Sequence, residues 1–226
     1  MMKREKYLFR RGILLLLLFG IWTFLICSVD VQTVEETGTK VGFFAWNHWF
    51  HDLTGVHMTL YAATDWLGLV PVLVCACFAG FGLCQLIKRK HIYRVDVDIL
   101  ILGAYYIVVA LFYLLFETIP INYRPVLIEG RLECSYPSST TLLVLSVMPA
   151  SAFYFKRRYA GICGERMLTL FLMVFSVFMV VGRLVSGVHW VTDIIGAALL
   201  SAGLYCLYKA TVLRYDARGE GFDGIV

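Results

Sequence analysis

The chain has 226 residues, 60% of them hydrophobic, and a mean hydropathy of +0.76. Soluble domains contain about 45–50% apolar residues, so this composition excludes an ordinary soluble domain and indicates an integral membrane protein. The formal net charge of +4 indicates no particular partner by itself. Short basic runs beside apolar segments are typical of topology signals and not of nucleic-acid sites.

The apolar residues fall into six segments in chain order, at about 12–29, 66–87, 97–116, 139–155, 167–185 and 190–208. Each is close to the roughly 20 residues that a helix needs to cross a bilayer. The first is longer than the apolar core of a signal peptide, and no small-x-small cleavage sequence follows it, so we expect an uncleaved anchor. The pattern predicts an all-α, polytopic membrane protein with six transmembrane helices.

The segment between the first two spans, about 30–65, interleaves aromatic residues with histidine, asparagine and aspartate. This mixture is typical of a helix that lies at the lipid headgroups, so we predict an interfacial helix there. We expect a single membrane-embedded domain over 1–226, with a core of about 60–210 and cytoplasmic tails at 1–11 and 214–226.

The basic residues predict the orientation. If the N-terminus is cytoplasmic, sixteen of the twenty Lys and Arg residues fall on the cytoplasmic side, and four fall outside: Lys40, Arg124, Arg131 and Arg183. Cytoplasmic loops of membrane proteins carry an excess of basic residues. We therefore predict a cell-membrane protein with both termini in the cytoplasm, and the even number of spans agrees.

The seven cysteines include no C-x-x-C pair, which disfavours a zinc or redox centre. We expect neither a metal nor a cofactor. No N-x-S/T glycosylation sequence occurs, which favours a bacterial source. The sequence does not indicate an oligomeric state.

The most informative polar residues lie in the stretch 182–193, where Arg183, His189 and Asp193 interrupt an apolar sequence. A charge at membrane depth costs about 2.5–3.5 kcal/mol on insertion scales, so such groups mark functional sites. On a helix, His189 and Asp193 would share one face, and the carboxylate could hold one ring nitrogen while the other acts as a nucleophile. A structural polar cluster between two spans is the alternative interpretation.

A second polar group lies between the third and fourth spans. Arg124 carries a forked donor suited to phosphate. After Pro137, Ser138 or Ser139 can cap a helix whose free N–H groups form an anion site, and Thr140 follows. The predicted topology places these residues on the same outer face as Arg183 and His189. This shared face predicts one extracytoplasmic site.

The stretch 182–193 resembles a signature of the type 2 phosphatidic acid phosphatase (PAP2) superfamily of membrane lipid phosphatases. The third part of that signature is Ser-Arg-x5-His-x3-Asp, and Gly182-Arg183 followed by His189 and Asp193 matches it in all but the serine. The resemblance implies that His189 is the nucleophile, that Asp193 orients it, and that Arg183 binds phosphate.

The other two parts of the family signature are matched less closely. In Lys-x6-Arg-Pro, the Arg-Pro pair is present as Arg124-Pro125, but Glu117 occupies the lysine position. In Pro-Ser-Gly-His, the pair Pro137-Ser138 is followed by Ser139 and Thr140. The resemblance implies that Arg124 and Ser138 also bind phosphate, and that the family's acid, a histidine, is replaced by threonine.

Thr140 and Glu117, which stand at the histidine and lysine positions of the family signature, affect which leaving group the protein can act on. A threonine hydroxyl is too weak an acid to protonate a leaving alkoxide, so Thr140 favours a good leaving group such as the phosphate of a lipid diphosphate. Glu117 could pair with Arg124, or donate the proton itself if burial raised its pKa. Ser139 and Thr140 are further phosphate-binding candidates, and Tyr136 is a possible accessory residue.

These residues predict a metal-independent lipid phosphatase that acts through a phosphohistidine. By resemblance, the substrate is polyprenyl diphosphate, phosphatidate or phosphatidylglycerol phosphate, and the partners are membrane lipids and not nucleic acid. Two alternatives remain. A phosphotransferase would pass the same intermediate to an alcohol, and a non-catalytic protein would bind or transport lipid phosphates.

Overall fold

The computed structural model describes residues 2–218, most of which are helical. The bounds of its helices are α1 Met2–Ile26, α2 Phe44–Thr54, α3 Met58–Leu67, α4 Leu69–Arg89, α5 Val97–Thr118, α6 Ser139–Arg158, α7 Glu165–Val185 and α8 Val191–Ala217. Two short strands, β1 Gln32–Thr33 and β2 Lys40–Val41, form an antiparallel hairpin before α2. The all-α prediction is confirmed.

Five helical segments in the described part of the chain are long and apolar enough to cross a membrane: Lys3–Ile26, Met58–Arg89, Val97–Thr118, Glu165–Val185 and Val191–Ala217. The protein is therefore a multi-pass membrane protein. The predicted second span is longer than expected, because α3 and α4 follow each other with only Gly68 between them.

The exact count of six spans is not confirmed, because α6 is less apolar than its neighbours. It is 20 residues long, but it carries several hydroxyl side chains and ends in Lys156, Arg157 and Arg158. Its position explains this composition. α6 packs against α4, α5, α7 and α8, and most of its residues are buried. A helix enclosed by other helices can hold polar side chains that lipid would not accept.

The first helix belongs to the same body as the later ones. α1 lies along α8 over much of its length, and Phe19 and Ile26 are buried in the main core cluster. Trp22 Nε1 donates to the backbone oxygen of Thr192 at 3.1 Å. The predicted core of about 60–210 therefore omitted a helix that packs against it, because lipid-facing and protein-facing apolar residues look alike in sequence.

The helix predicted before the second span is present as α2. Its buried residue is Asn47, whose Nδ2 donates to Thr192 Oγ1 at 3.0 Å and to the oxygen of Gly42 at 2.9 Å. Trp49 and Leu53 are exposed on the other side. α2 therefore lies across the N-terminal end of α8.

The two ends of the helical bundle differ in character. At one end, Arg157 binds Asp216 and Asp98, at 2.7 and 3.7 Å, and Arg89 binds Asp96 at 2.7 Å. At the other end lie the β-hairpin, α2 and the loops 119–138 and 186–190. The predicted tail at 214–226 begins later than expected, because α8 continues to Ala217. The part of that tail beyond 218 lies outside the described residues.

Candidate active site

The polar residues singled out from the sequence converge at one end of the bundle. Arg124 comes from the loop before α6, Thr140 from the first turn of α6, and Arg183 from the last turn of α7. His189 lies in the five-residue connection between α7 and α8, and Asp193 in the first turn of α8. All five are buried.

Two guanidinium groups dominate the site. The exposed fraction is 8% for Arg124 and 1% for Arg183. Both lie over the ring of Tyr61, at 5.4 and 5.0 Å from its centroid. Nε and one terminal nitrogen of each arginine have no hydrogen-bond partner among the described residues. A buried donor without a partner is costly, so these four nitrogen atoms are suited to an anion.

Each arginine also binds one carboxylate. Arg183 Nη2 donates to Asp65 Oδ1 at 2.7 Å and to Thr140 Oγ1 at 2.5 Å. Arg124 Nη2 pairs with Glu133 Oε2 at 3.0 Å. Glu133 lies in the loop before α6, and its side chain is 40% exposed. The loop folds back through two backbone hydrogen bonds, Arg124 to Glu133 and Ser135 to Asn122.

A cavity of about 540 Å³ opens beside these arginines. Its wall includes both arginines, together with Tyr61, Asp65, Glu117, Glu133, Ser139 and Thr140. His189 is 4% exposed and is not part of this wall. The cavity is therefore lined by cationic donors and by carboxylates, with the histidine buried close by.

The environment of His189 keeps its ring neutral. Burial, with the nearby charges of Arg124 and Arg183, lowers the pKa of the imidazole well below its usual value. Nδ1 lies 3.8 Å from Asp193 Oδ2, beyond hydrogen-bond distance. The expected helical i, i+4 arrangement is not formed, because α8 begins only at Val191.

Asp193 is held by other groups. Its Oδ2 accepts the backbone N–H of Trp190 at 3.0 Å, and its Oδ1 accepts from Asn122 Nδ2 at 3.3 Å. These contacts fix the carboxylate at the start of α8, facing the His189 ring. Asn122 and Trp190 were not predicted from sequence.

The segment at the start of α6 differs in part from the prediction. Ser138 occupies the N-cap position but makes no capping bond with its side chain, and its Oγ donates to Thr141 Oγ1 at 3.0 Å. Its N–H donates to the backbone oxygen of Asp193 at 3.3 Å. Ser139 and Thr140 line the cavity. Ser138 thus joins α6 to α8, and its contact with phosphate stays a prediction.

The model of the PAP2 superfamily matches residues 104–215, a range that contains Arg124, residues 138–140 and the stretch 182–193. The chain belongs to the PAP2 superfamily. Similarity to a solved structure from Bacillus subtilis, described as the first transmembrane PAP2 type phosphatidylglycerolphosphate phosphatase, covers 94% of this chain and 99% of that one. The TM-score is 0.54 and the sequence identity 18%, so this likeness concerns the fold. No curated protein matches the chain.

The structure shows where the two residues predicted to be accessory, Tyr136 and Glu117, lie. Tyr136 lies in the hydrophobic core, where its hydroxyl shares a hydrogen bond of 2.7 Å with Thr23 Oγ1. It is not part of the wall of the cavity beside the arginines. Glu117 is exposed and lines that cavity. The carboxylate that pairs with Arg124 is Glu133, so the pairing suggested for Glu117 is not the one observed.

Sequence reasoning missed Asp65 and Tyr61. Asp65 is the only charged residue between His57 and Lys88, and a carboxylate inside an apolar segment marks a functional site. The second span was predicted to begin at residue 66, so Asp65 fell outside it and was not recognised as a charge within an apolar segment. Tyr61 gave no signal, since a tyrosine at a membrane interface is common.

Proposed function

We propose that this protein is a lipid phosphatase that hydrolyses a lipid phosphate or diphosphate through a phosphohistidine at His189. Membership of the PAP2 superfamily and the fold shared with a transmembrane lipid phosphatase support this class of substrate. The observation that carries the proposal is the pair of buried arginines in the wall of one cavity. Four of their nitrogen atoms have no hydrogen-bond partner in the described part of the chain.

The nucleophile of the proposed reaction is Nε2 of His189. Its neutral ring keeps a lone pair, and Nδ1 is the nitrogen closer to Asp193. Attack on phosphorus forms the nitrogen–phosphorus bond and breaks the bond to the leaving oxygen. The negative charge of Asp193 then stabilises the positively charged ring, and water completes the hydrolysis. The arginines neutralise the phosphate, so the proposed reaction needs no metal.

A groove beside the site suits the lipid tail. Its volume is about 590 Å³, and it is lined almost wholly by apolar side chains of α7, together with Leu60 of α3. Leu60 and Gly182 in this groove directly precede Tyr61 and Arg183 in the active site. We assign the groove to the acyl or prenyl chain of the substrate, because it meets the phosphate-binding residues at one end. The excess of basic residues at the opposite end supports an extracytoplasmic site.

The test is phosphate release by purified protein in detergent containing EDTA. The substrates are polyprenyl diphosphate, phosphatidate and phosphatidylglycerol phosphate, with glycerol 3-phosphate as a tail-free comparison. We expect EDTA-resistant release from at least one lipid, weak release from glycerol 3-phosphate, and a loss of at least about 10³-fold in His189→Ala.

A matched control is His91→Ala, which changes an exposed histidine at the opposite end of the bundle. Its activity should equal that of the parent. Release that persists in His189→Ala, or that EDTA abolishes, would contradict the proposed mechanism. Transfer of labelled phosphate to a lipid alcohol, without free phosphate, would indicate a phosphotransferase.

A further inference from the structure

The proposed reaction needs a proton donor that Thr140 cannot be. When the leaving group is an alkoxide, its oxygen must be protonated, and a positioned acid contributes about 10²–10⁴-fold to the rate. Thr140 stands where the family signature has a histidine, and its hydroxyl oxygen accepts a hydrogen bond from Arg183. Another group beside Thr140 and Arg183 in the cavity wall must supply the proton.

Asp65 lies beside Thr140 and Arg183. Arg183 Nη2 donates to both Asp65 Oδ1 and Thr140 Oγ1, at 2.7 and 2.5 Å, so the carboxyl and the hydroxyl contact the same nitrogen atom. Asp65 also lines the cavity, and its side chain is 54% exposed. It can therefore reach a phosphate ester in the cavity and exchange protons with water.

The packing of α3 fixes this position. Thr64, the residue before Asp65, is fully buried, and a Cβ atom at Gly182 would lie 2.7 Å from its methyl group. At the start of α3, the N–H of His57 donates to the oxygen of Ser186 at 2.9 Å. α3 is thus held against both the helix that carries Arg183 and the loop that carries His189.

The other carboxylates of the cavity are less well placed. Glu133 pairs with the other arginine, Arg124. Glu117 lines the cavity wall from the end of α5, but within the described chain its carboxylate is ion-paired with neither arginine. Asp65 alone among these shares a nitrogen partner with Thr140.

We infer that Asp65 is the general acid and base of the proposed phosphatase reaction, in place of the histidine that Thr140 replaces; this rests on the proposed function. In the first step, Nε2 of His189 bonds to phosphorus, the bond to the leaving oxygen breaks, and that oxygen takes the proton of the Asp65 carboxyl group. In the second step, the Asp65 carboxylate takes a proton from water, the water oxygen bonds to phosphorus, and the nitrogen–phosphorus electrons return to His189.

A phosphate in the cavity would compete with Asp65 for the donors of Arg183. The other charged and titratable groups that line the cavity with Asp65 are Arg183, Arg124, Glu117, Glu133, Tyr61, Tyr113 and Cys134. With this acid present, lipid monophosphates are substrates, and the preference for diphosphates expected from Thr140 alone is removed.

The test compares Asp65→Asn with the parent on two monoesters that differ in leaving group. One is a short-chain phosphatidate, whose alkoxide needs a proton, and the other is p-nitrophenyl phosphate, whose phenolate does not. We expect kcat for phosphatidate to fall by about 10²–10⁴-fold and kcat for p-nitrophenyl phosphate to fall by less than about 10-fold. In the Asp65→Asn background, Thr140→His should restore at least about 10-fold on phosphatidate.

Asp52→Asn is the matched control, because Asp52 is an exposed aspartate on α2 whose side chain is 66% exposed. It should match the parent on both substrates. Equal losses on both substrates in Asp65→Asn, with Asp65→Glu no better, would overturn the assignment and leave the phosphatase intact. Activity that survives His189→Ala on both substrates would overturn the proposed function, and the role of Asp65 with it.

Discussion

Arg183 shows how a single side chain can belong to both the fold and the site. It is among the largest fully buried side chains of the protein, and it contacts Asp65, Thr140 and the Tyr61 ring. A guanidinium can do this because it offers five donors in a fixed plane. Within residues 2–218, two of its nitrogen atoms have no hydrogen-bond partner, and these are the donors proposed to bind the phosphate.

A second residue-scale consequence concerns His189 and pH. Burial and two arginines lower the pKa of its ring, whereas in the unfolded chain the ring takes its usual value near 6.5. Below that value the unfolded state binds a proton that the folded state does not, so stability falls as pH decreases.

We predict that the thermal unfolding midpoint in detergent falls less between pH 7.5 and pH 5 in His189→Gln than in the parent. His91→Gln, at an exposed position, serves as the control and should follow the parent. An unchanged pH dependence in His189→Gln would show that the buried ring is not the group responsible.

At the scale of elements, the connection between α7 and α8 depends on one glycine. Gly187 has a φ of +69°, and a Cβ atom there would lie 2.0 Å from the backbone oxygen of Gly55. Only glycine combines this backbone conformation with so close an approach. The backbone conformation at Gly187 therefore sets the position of His189, two residues later.

Gly187→Ala should therefore destabilise the protein. The left-handed conformation alone costs about 1–2 kcal/mol, and displacement of a backbone carbonyl adds to it. We expect the thermal midpoint to fall by about 5 °C or more, with loss of phosphatase activity. Gly103→Ala on α5, where a Cβ atom meets nothing within 4 Å, should lower neither, because alanine favours a helix interior. Similar midpoints for the two variants would contradict this account.

At the scale of the whole molecule, the two ends of the bundle carry different chemistry. Ion pairs among Arg89, Asp96, Arg157 and Asp216 lie at one end, and the cavity and the buried arginines lie at the other. The excess of basic residues predicts that the ion-paired end is cytoplasmic. The site would then face outward.

Thiol labelling tests this orientation in a chain whose other cysteines are replaced by serine. Cys163 is exposed between α6 and α7, and Glu35→Cys places a thiol on the β-hairpin at the opposite end. We expect a membrane-impermeant maleimide to label Glu35→Cys in intact cells, and Cys163 only after permeabilisation. The reverse pattern would place the site in the cytoplasm.

Much of the fold could be predicted because each membrane helix is a segment of about 20 mostly apolar residues, which the sequence shows directly. The predicted spans correspond to α1, α3 with α4, α5, α6, α7 and α8. The count of six spans stays unconfirmed at α6, because hydropathy does not distinguish a helix facing lipid from one enclosed by other helices. The predicted domain core omitted α1 for the same reason.

The site was predicted in part. Arg124, Thr140, Arg183, His189 and Asp193 could be found because each is a polar residue at the end of an apolar segment, where burial has a cost. Ser138 and Tyr136 were named with them, but the structure uses their side chains for packing and hydrogen bonds outside the cavity.

The sequence by itself determined that the protein lies in a membrane and which polar residues are unusual there, because hydropathy and charge are local properties of the chain. Only the tertiary structure decided that Asp65 meets Arg183 and Thr140, and that Glu133, not Glu117, pairs with Arg124. Asp65 and Arg183 are 118 positions apart, and their contact follows from the packing of α3 against α7. No local pattern records which distant helix faces come together.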